Sequence, residues 1–363
     1  MKLALVSDAW TPQVNGVVRT LTTTAAELVR RGHDVETITP GQFRTLPCPT
    51  YPEIRLAIGC GAEVAARLDR ARADAVHIAT EGPLGWAARR WCLRNGMAFT
   101  TSFHTHFARY LAVRTHLPDW LFWPAITRFH APAMRTFAAT PTLERELRTH
   151  AIARTHRWAR GVDPLVFFPT TPADDRIAAL PRPILLSVGR VAVEKNLRAF
   201  LDAPVAGTKV VVGDGPALEP LSQRYPEAVF TGALQGARLA SAYAAADVFV
   251  FPSLTDTFGL VMIEALASGL PVAAFPVPGP IDILGADGRG MNGAQIGALD
   301  HRLEQAIARA LACSGADCVA EAQRYSWQQC TDQFIAGLAI RPAGRATGGG
   351  ATNTAMPVGQ LRG

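Results

Sequence analysis

Six cysteines, at positions 48, 60, 92, 313, 318 and 330, are all that the 363-residue chain holds, and none forms a Cys-x-x-Cys pair or neighbours a histidine at metal spacing. This excludes a disulfide scaffold and a zinc motif, and points to reduced, mostly structural thiols in a cytoplasmic protein. Charge is also sparse, at 18% of residues against 48% apolar, which describes a globular chain. No unbroken apolar run approaches the roughly 18 to 20 residues of a membrane span. The start, Met1 to Asp8, has too short an apolar stretch and too early an acid for a signal peptide. Walker A, the full dinucleotide glycine signature, zinc-finger spacing and RNA-binding aromatic motifs are absent, so nucleic acid is not an expected partner.

What is present implies two domains, since the length exceeds what one core fills. Residues 1–163 carry 21 Lys and Arg against 13 Asp and Glu, whereas the remainder carries 15 against 17. A basic first half suits an anionic lipid surface, although an arginine-rich composition gives the same count. Leu3–Ser7, Val17–Arg31 and Val35–Thr39 read strand, helix, strand, with a Pro- and Gly-bearing loop Asp8–Gly16 between the first two. The pattern restarts at Pro183–Gly189, passes a loop Arg190–Asn196, and returns in Lys209–Gly213. Two such halves predict α/β architecture with two Rossmann-like domains facing a cleft, 1–163 and 164–340. A last helix is expected at about 313–338, and a disordered tail over 341–363, where periodicity gives way to Gly, Ala and Thr.

Within "SLTDTFGLVMIEALASGLPVAAF", Asp256 and Glu264 bracket the start of a helix that follows a buried strand. Carboxyl ends of parallel strands are where such sheets bind ligands, and the amides of Phe258, Gly259 and Leu260 lie between the two acids. Glu264 suits two vicinal ribose hydroxyls, or is a plain helix-surface acid. Arg190 and Lys195 in "GRVAVEKN" suit a diphosphate at a strand-to-helix loop, or a solvated surface. Gly16 allows close backbone approach, or simply turns the chain. His104 in "SFHTHF" stands at another strand end; His106 reads as structural, and no carboxylate completes a metal site. Arg109, Tyr110, Arg114, Trp120, Phe122 and Trp123 interleave cations with aromatics, as at a membrane interface or in ordinary helix packing.

"NGVVRT", "HTHF", "GRVAVEKN", "VVGDGP" and "FPSLTDTFGLVMIEALASGLPVAA" together resemble the retaining nucleotide-sugar glycosyltransferases of family four. The resemblance runs from Met1 to about Leu338 and implies the GT-B fold. "TDTFGL" and "EGPLGWAARRWC" are similar to the glycosyl- and sulfoquinovosyl-diacylglycerol synthases of that family. By resemblance, Arg190 and Lys195 hold the donor diphosphate and Glu264 the ribose. Asp256 occupies the sugar-contacting acid position, where Glu is usual. Gly16 lets the first loop approach the phosphate, His104 lines the sugar and acceptor side, and the closing helix crosses back onto the first domain. Neither metal nor cofactor is implied, the nucleotide-sugar being a substrate. The expected function is transfer of a hexose or hexuronic acid, UDP-linked in donor form, to a lipid such as diacylglycerol at the inner membrane face, by a peripheral protein of open oligomeric state. The alternatives are a GDP-mannose-dependent α-mannosyltransferase acting on a phosphoinositide or glycan, and a catalytically silent sugar-nucleotide-binding protein.

Overall fold

The computed structural model describes residues 1–13, 15–48 and 51–341. Strands β1 (Lys2–Val6), β2 (Asp34–Ile38), β5 (Ala75–Ile78), β6 (Phe99–Phe103), β7 (Arg135–Ala138) and β8 (Thr155–Arg157) form a wholly parallel sheet in the order β2-β1-β5-β6-β7-β8, with β3 (Thr45–Cys48) and β4 (Tyr51–Ala57) set aside as an antiparallel hairpin. A second parallel sheet takes β9 (Ile184–Val188), β10 (Thr208–Val212), β11 (Val229–Gly232), β12 (Val248–Phe251), β13 (Val272–Ala274) and β14 (Gly297–Leu299) in the order β11-β10-β9-β12-β13-β14.

Short apolar runs such as "LALV" and "ILL" become central strands because helices cover both faces of a parallel sheet. The helix Gly16–Arg30 shows the complementary logic: Val18, Leu21, Ala25 and Leu28 recur at helical spacing and are buried, and the Asn15 side chain accepts a hydrogen bond from the Val18 amide at 3.0 Å. Each sheet order reverses direction beside its first strand, which opens a crevice at the carboxyl ends. This is the two-Rossmann GT-B arrangement.

The chain end departs from the single helix expected at 313–338. It forms two, Gly315–Ala322 and Trp327–Gly337. The break falls where the Val162 amide donates to the Tyr325 carbonyl at 2.9 Å, and Ser326 caps the second helix by accepting from the Gln329 amide at 3.1 Å. Trp327, Cys330 and Phe334 then pack with Leu3, Leu5, Phe137 and Trp158 of the first sheet. Arg341, placed in the expected tail, is instead anchored: its amide donates to the Asp74 carbonyl at 2.8 Å. The rest of that tail, 342–363, lies outside the described residues. Among the described residues no helix is long and apolar enough to cross a membrane.

Candidate active site

The loop after β9 is held in place by glycine. Gly213 has φ +151°, and a Cβ there would come within 1.8 Å of the Gly189 carbonyl oxygen, so "VVGDGP" lies flush against the start of "GRVAVEKN". A single turn, Val193–Lys195, then aims Lys195 at the next loop, where Nζ donates to Asp256 Oδ1 at 2.6 Å. Arg190 donates to Glu194 Oε1 at 2.5 Å. Burial pushes the Asp256 carboxyl up, but Lys195, the Ser253 hydroxyl and Arg190 outweigh it and hold it below its ordinary value. Arg190, Lys195 and Asp256 therefore form one electrostatic group.

Gly259, at φ +95°, turns the chain from that loop into the helix Leu260–Ala267. Glu264, about one turn along, is buried; its Oε1 accepts from Arg19 Nη1, and its Oε2 from the Tyr243 hydroxyl at 3.2 Å. Burial raises the Glu264 carboxyl above its usual range, with Arg19 and Tyr243 offsetting part of the effect. Phe258 is buried, its ring 6.0 Å from that of Tyr325, and a Cβ on Gly16 would meet the Leu260 side chain at 3.3 Å. Asp256 and Glu264 share no cation: Lys195 takes the first and Arg19, from the other half, the second.

On the facing edge, His104 follows β6. Its Nδ1 accepts from Arg160 Nη2 at 3.1 Å, so the ring proton sits on Nε2, which is buried without a hydrogen-bond partner among the described residues. Burial first, then Arg160 and His77, push the ring well below its ordinary value, so it is neutral. Thr257, next to Asp256, donates its hydroxyl to the His104 carbonyl at 2.7 Å. Arg19 with Glu264 and Thr257 with His104 thus tie the two halves across the cleft, and the Thr142 hydroxyl adds a further tie, donating to Asp282 Oδ1 at 2.8 Å. Burial also pushes the Asp8 carboxyl up to about 6, against hydrogen bonds from Leu84, Gly85 and Thr80.

The structure thus brings Gly16, His104, Arg190, Lys195, Asp256, Phe258, Gly259, Leu260 and Glu264 to one cleft. It corrects the aromatic set. Trp123 is buried, stacked on His150 at 3.5 Å, because its helix uses it as core; Phe122 is partly covered; and Arg109 is engaged by Glu146 at 2.9 Å. Trp120 projects, at 65% exposure, while the side chains of Tyr110 and Arg114 lie outside the described residues. Sequence reasoning missed Arg19, Tyr243 and Arg160. Arg19 had a signal: it stands three residues after Gly16, on the same helix face, inside "NGVVRT".

A family model described as Glycosyltransferase Family 4 matches residues 14–165, and one described as Glycosyl transferases group 1 matches residues 182–313. A GDP-mannose-dependent alpha-mannosyltransferase of Mycobacterium tuberculosis is 32% identical over 353 residues, 90% of each chain. A sulfoquinovosyl transferase of Arabidopsis thaliana is 31% identical over 266 residues, 69% of this chain and 52% of its own. Among solved structures, the sucrose-phosphate synthase of Thermosynechococcus elongatus has a TM-score of 0.74 at 21% identity, covering 92% of this chain and 97% of its own. The fold and the cleft define a GT-B hexosyltransferase. The chain belongs to glycosyltransferase family four.

Proposed function

We propose that the chain transfers a hexose, with retention, from a nucleotide diphosphate sugar to a hydroxyl of a lipid-linked acceptor, and that GDP-mannose is the donor. The observation that carries this reading is the grouping of Arg190, Lys195 and Asp256 at a helix start whose Glu264 and Thr257 are tied across the cleft to Arg19 and His104. The choice of base and sugar leans on the mycobacterial relative.

In this reading the donor diphosphate exchanges with carboxylates: its charge takes Arg190 and Lys195 from Glu194 and Asp256. Ribose hydroxyls take Glu264 from Arg19, which turns to the anion. His104 donates Nε2–H to a sugar hydroxyl. The bond from C1 to the phosphate oxygen breaks with its electron pair going to the phosphate, where the cations stabilise it. The acceptor oxygen bonds to C1 on the same face, and its proton passes to the departing phosphate. The charge on the leaving group is met by side chains, and no metal is part of this reading.

The basic first half and exposed Leu117, Trp120 and Leu121 support peripheral contact with an anionic membrane. A second reading, a UDP-linked hexose or hexuronic acid moved to diacylglycerol, follows the resemblance of "TDTFGL" and "EGPLGWAARRWC" to diacylglycerol glycosyltransferases. Thermal shift with GDP and UDP separates them, since a ligand bound only by the folded state raises its stability. Labelled GDP-mannose and UDP-glucose are then given with lipid vesicles. Label in the lipid phase from GDP-mannose supports the first reading, label from UDP-glucose the second, and none from either overturns both.

A further inference from the structure

The stretch "EGPLGWAARRWC" contributes nothing to the donor site, yet its first residue ends in an unusual setting. Glu81 follows β5, whose neighbours β1 and β6 lead into Asp8 and His104. Its side chain is only 10% exposed. One carboxylate oxygen, Oε1, accepts from His130 Nε2 at 3.0 Å; His130 is fully buried, and its Nδ1 accepts from the Thr101 hydroxyl at 2.8 Å, which in turn faces the Thr136 hydroxyl at 3.1 Å. The other oxygen, Oε2, has no hydrogen bond among the described residues. A carboxylate fixed through one oxygen by a chain of buried hydrogen bonds is held in one orientation, with the other oxygen open to an arriving hydroxyl.

The surroundings define what arrives. Asp8 adjoins Glu81: Thr80 donates to Asp8 Oδ2 at 3.0 Å, and a Cβ on Gly82 would stand 2.3 Å from Asp8 Cγ. Two acids in one corner favour O–H donors and repel phosphate. The same edge carries the unpartnered Nε2 of His104.

We infer that Glu81, oriented by His130, is a binding residue for acceptor hydroxyls, and that the acceptor group reaching it is a neutral glycerol or sugar headgroup rather than a phosphate. This rests on the lipid-acceptor reading above. It deepens that reading by setting phosphoinositide acceptors aside.

The test uses the full chain with labelled donor and two acceptor probes, micelles of monoglucosyl dioleoylglycerol and of phosphatidylinositol. For the glucosyl lipid, Glu81→Gln raises the acceptor KM about tenfold, the loss of one charge-assisted hydrogen bond, while the donor KM shifts less than twofold. His130→Asn, which removes the orienting contact without the carboxylate, gives a smaller rise in the same KM and covers the case of an insoluble Glu81 variant. A preference of the wild type for phosphatidylinositol overturns the inference, as does a donor KM that rises in step with the acceptor KM. Failure of the wild type to bind any nucleotide in the thermal-shift assay sinks the donor reading instead, a different outcome from normal donor binding with an indifferent Glu81.

Discussion

The two cleft edges are built on opposite electrostatic plans. On the second sheet's edge each cation has a carboxylate: Arg190 with Glu194, Lys195 with Asp256, and Arg19 reaching over to Glu264. On the first sheet's edge, His104 and His106 each keep one buried ring nitrogen without a hydrogen-bond partner among the described residues. The difference teaches how the substrates enter. On the proposed reading a diphosphate has to compete with anions already in place, so its binding is an exchange of ion partners. A neutral hydroxyl displaces nothing at His104 and completes a hydrogen bond.

The contrast breaks most visibly at Lys195. Lys195→Ala takes away the cation proposed to meet leaving-group charge and strands the half-buried Asp256 carboxylate, so kcat/KM for the donor should fall on the order of 10² to 10³-fold; steady-state kinetics with saturating acceptor reads this, and a change under threefold removes Lys195 from the chemistry. Next in size is a stability effect on the other edge. Burial raises Asp8 from 3.8 to about 6. Between those pH values the folded chain keeps a proton that the unfolded chain has released, so stability falls as pH rises through the window. Asp8→Asn, which cannot ionise, lacks that slope; relative to wild type it gains about 2–3 kcal/mol from pH 4 to pH 7, at ~1.4 kcal/mol per unit, in denaturant titrations.

A smaller effect sharpens the exchange argument. Glu264→Gln keeps the shape but weakens both the ribose contact and the Arg19 pair, and donor KM should rise roughly tenfold with little change in acceptor KM; an unchanged donor KM would place the nucleotide elsewhere. The smallest expected change concerns the surface. Trp120→Ser should lower affinity for anionic vesicles about fivefold in a flotation assay, since one partly inserted ring contributes about 1 kcal/mol at an interface. Unaltered flotation would assign the contact to another face.

Most of the second sheet's edge was legible because its signals are local. Strand, glycine turn and helix follow one another in sequence at both "GRVAVEKN" and "TDTFGLVMIEALA", so residue type and position together place Arg190, Lys195 and Asp256 at strand ends and Glu264 on the helix that follows. The partners of those residues were not legible, because pairing across a cleft depends on how two sheets face each other. Arg19 and Glu264 lie 245 positions apart, and nothing in either neighbourhood announces the other. The aromatic stretch misled for a related reason: composition shows Trp120 and Trp123 as equals, while helical phase puts one outside and the other against His150. The broken final helix was hidden in the same way, since Tyr325 breaks it to meet Val162, a residue of the distant linker.

The junction at Val162 and Tyr325 carries a mechanical consequence. The polypeptide passes between its two lobes twice, once outward near Val162 and once back near Ser326, and the crossings lie side by side as a paired ribbon. A joint made of two adjacent strings bends readily about one axis and resists twisting. Any opening of the lobes should therefore resemble a book rather than a swivel. Cutting the chain between the lobes would strip Trp327 and Phe334 from the first one, leaving that fragment with a wall missing.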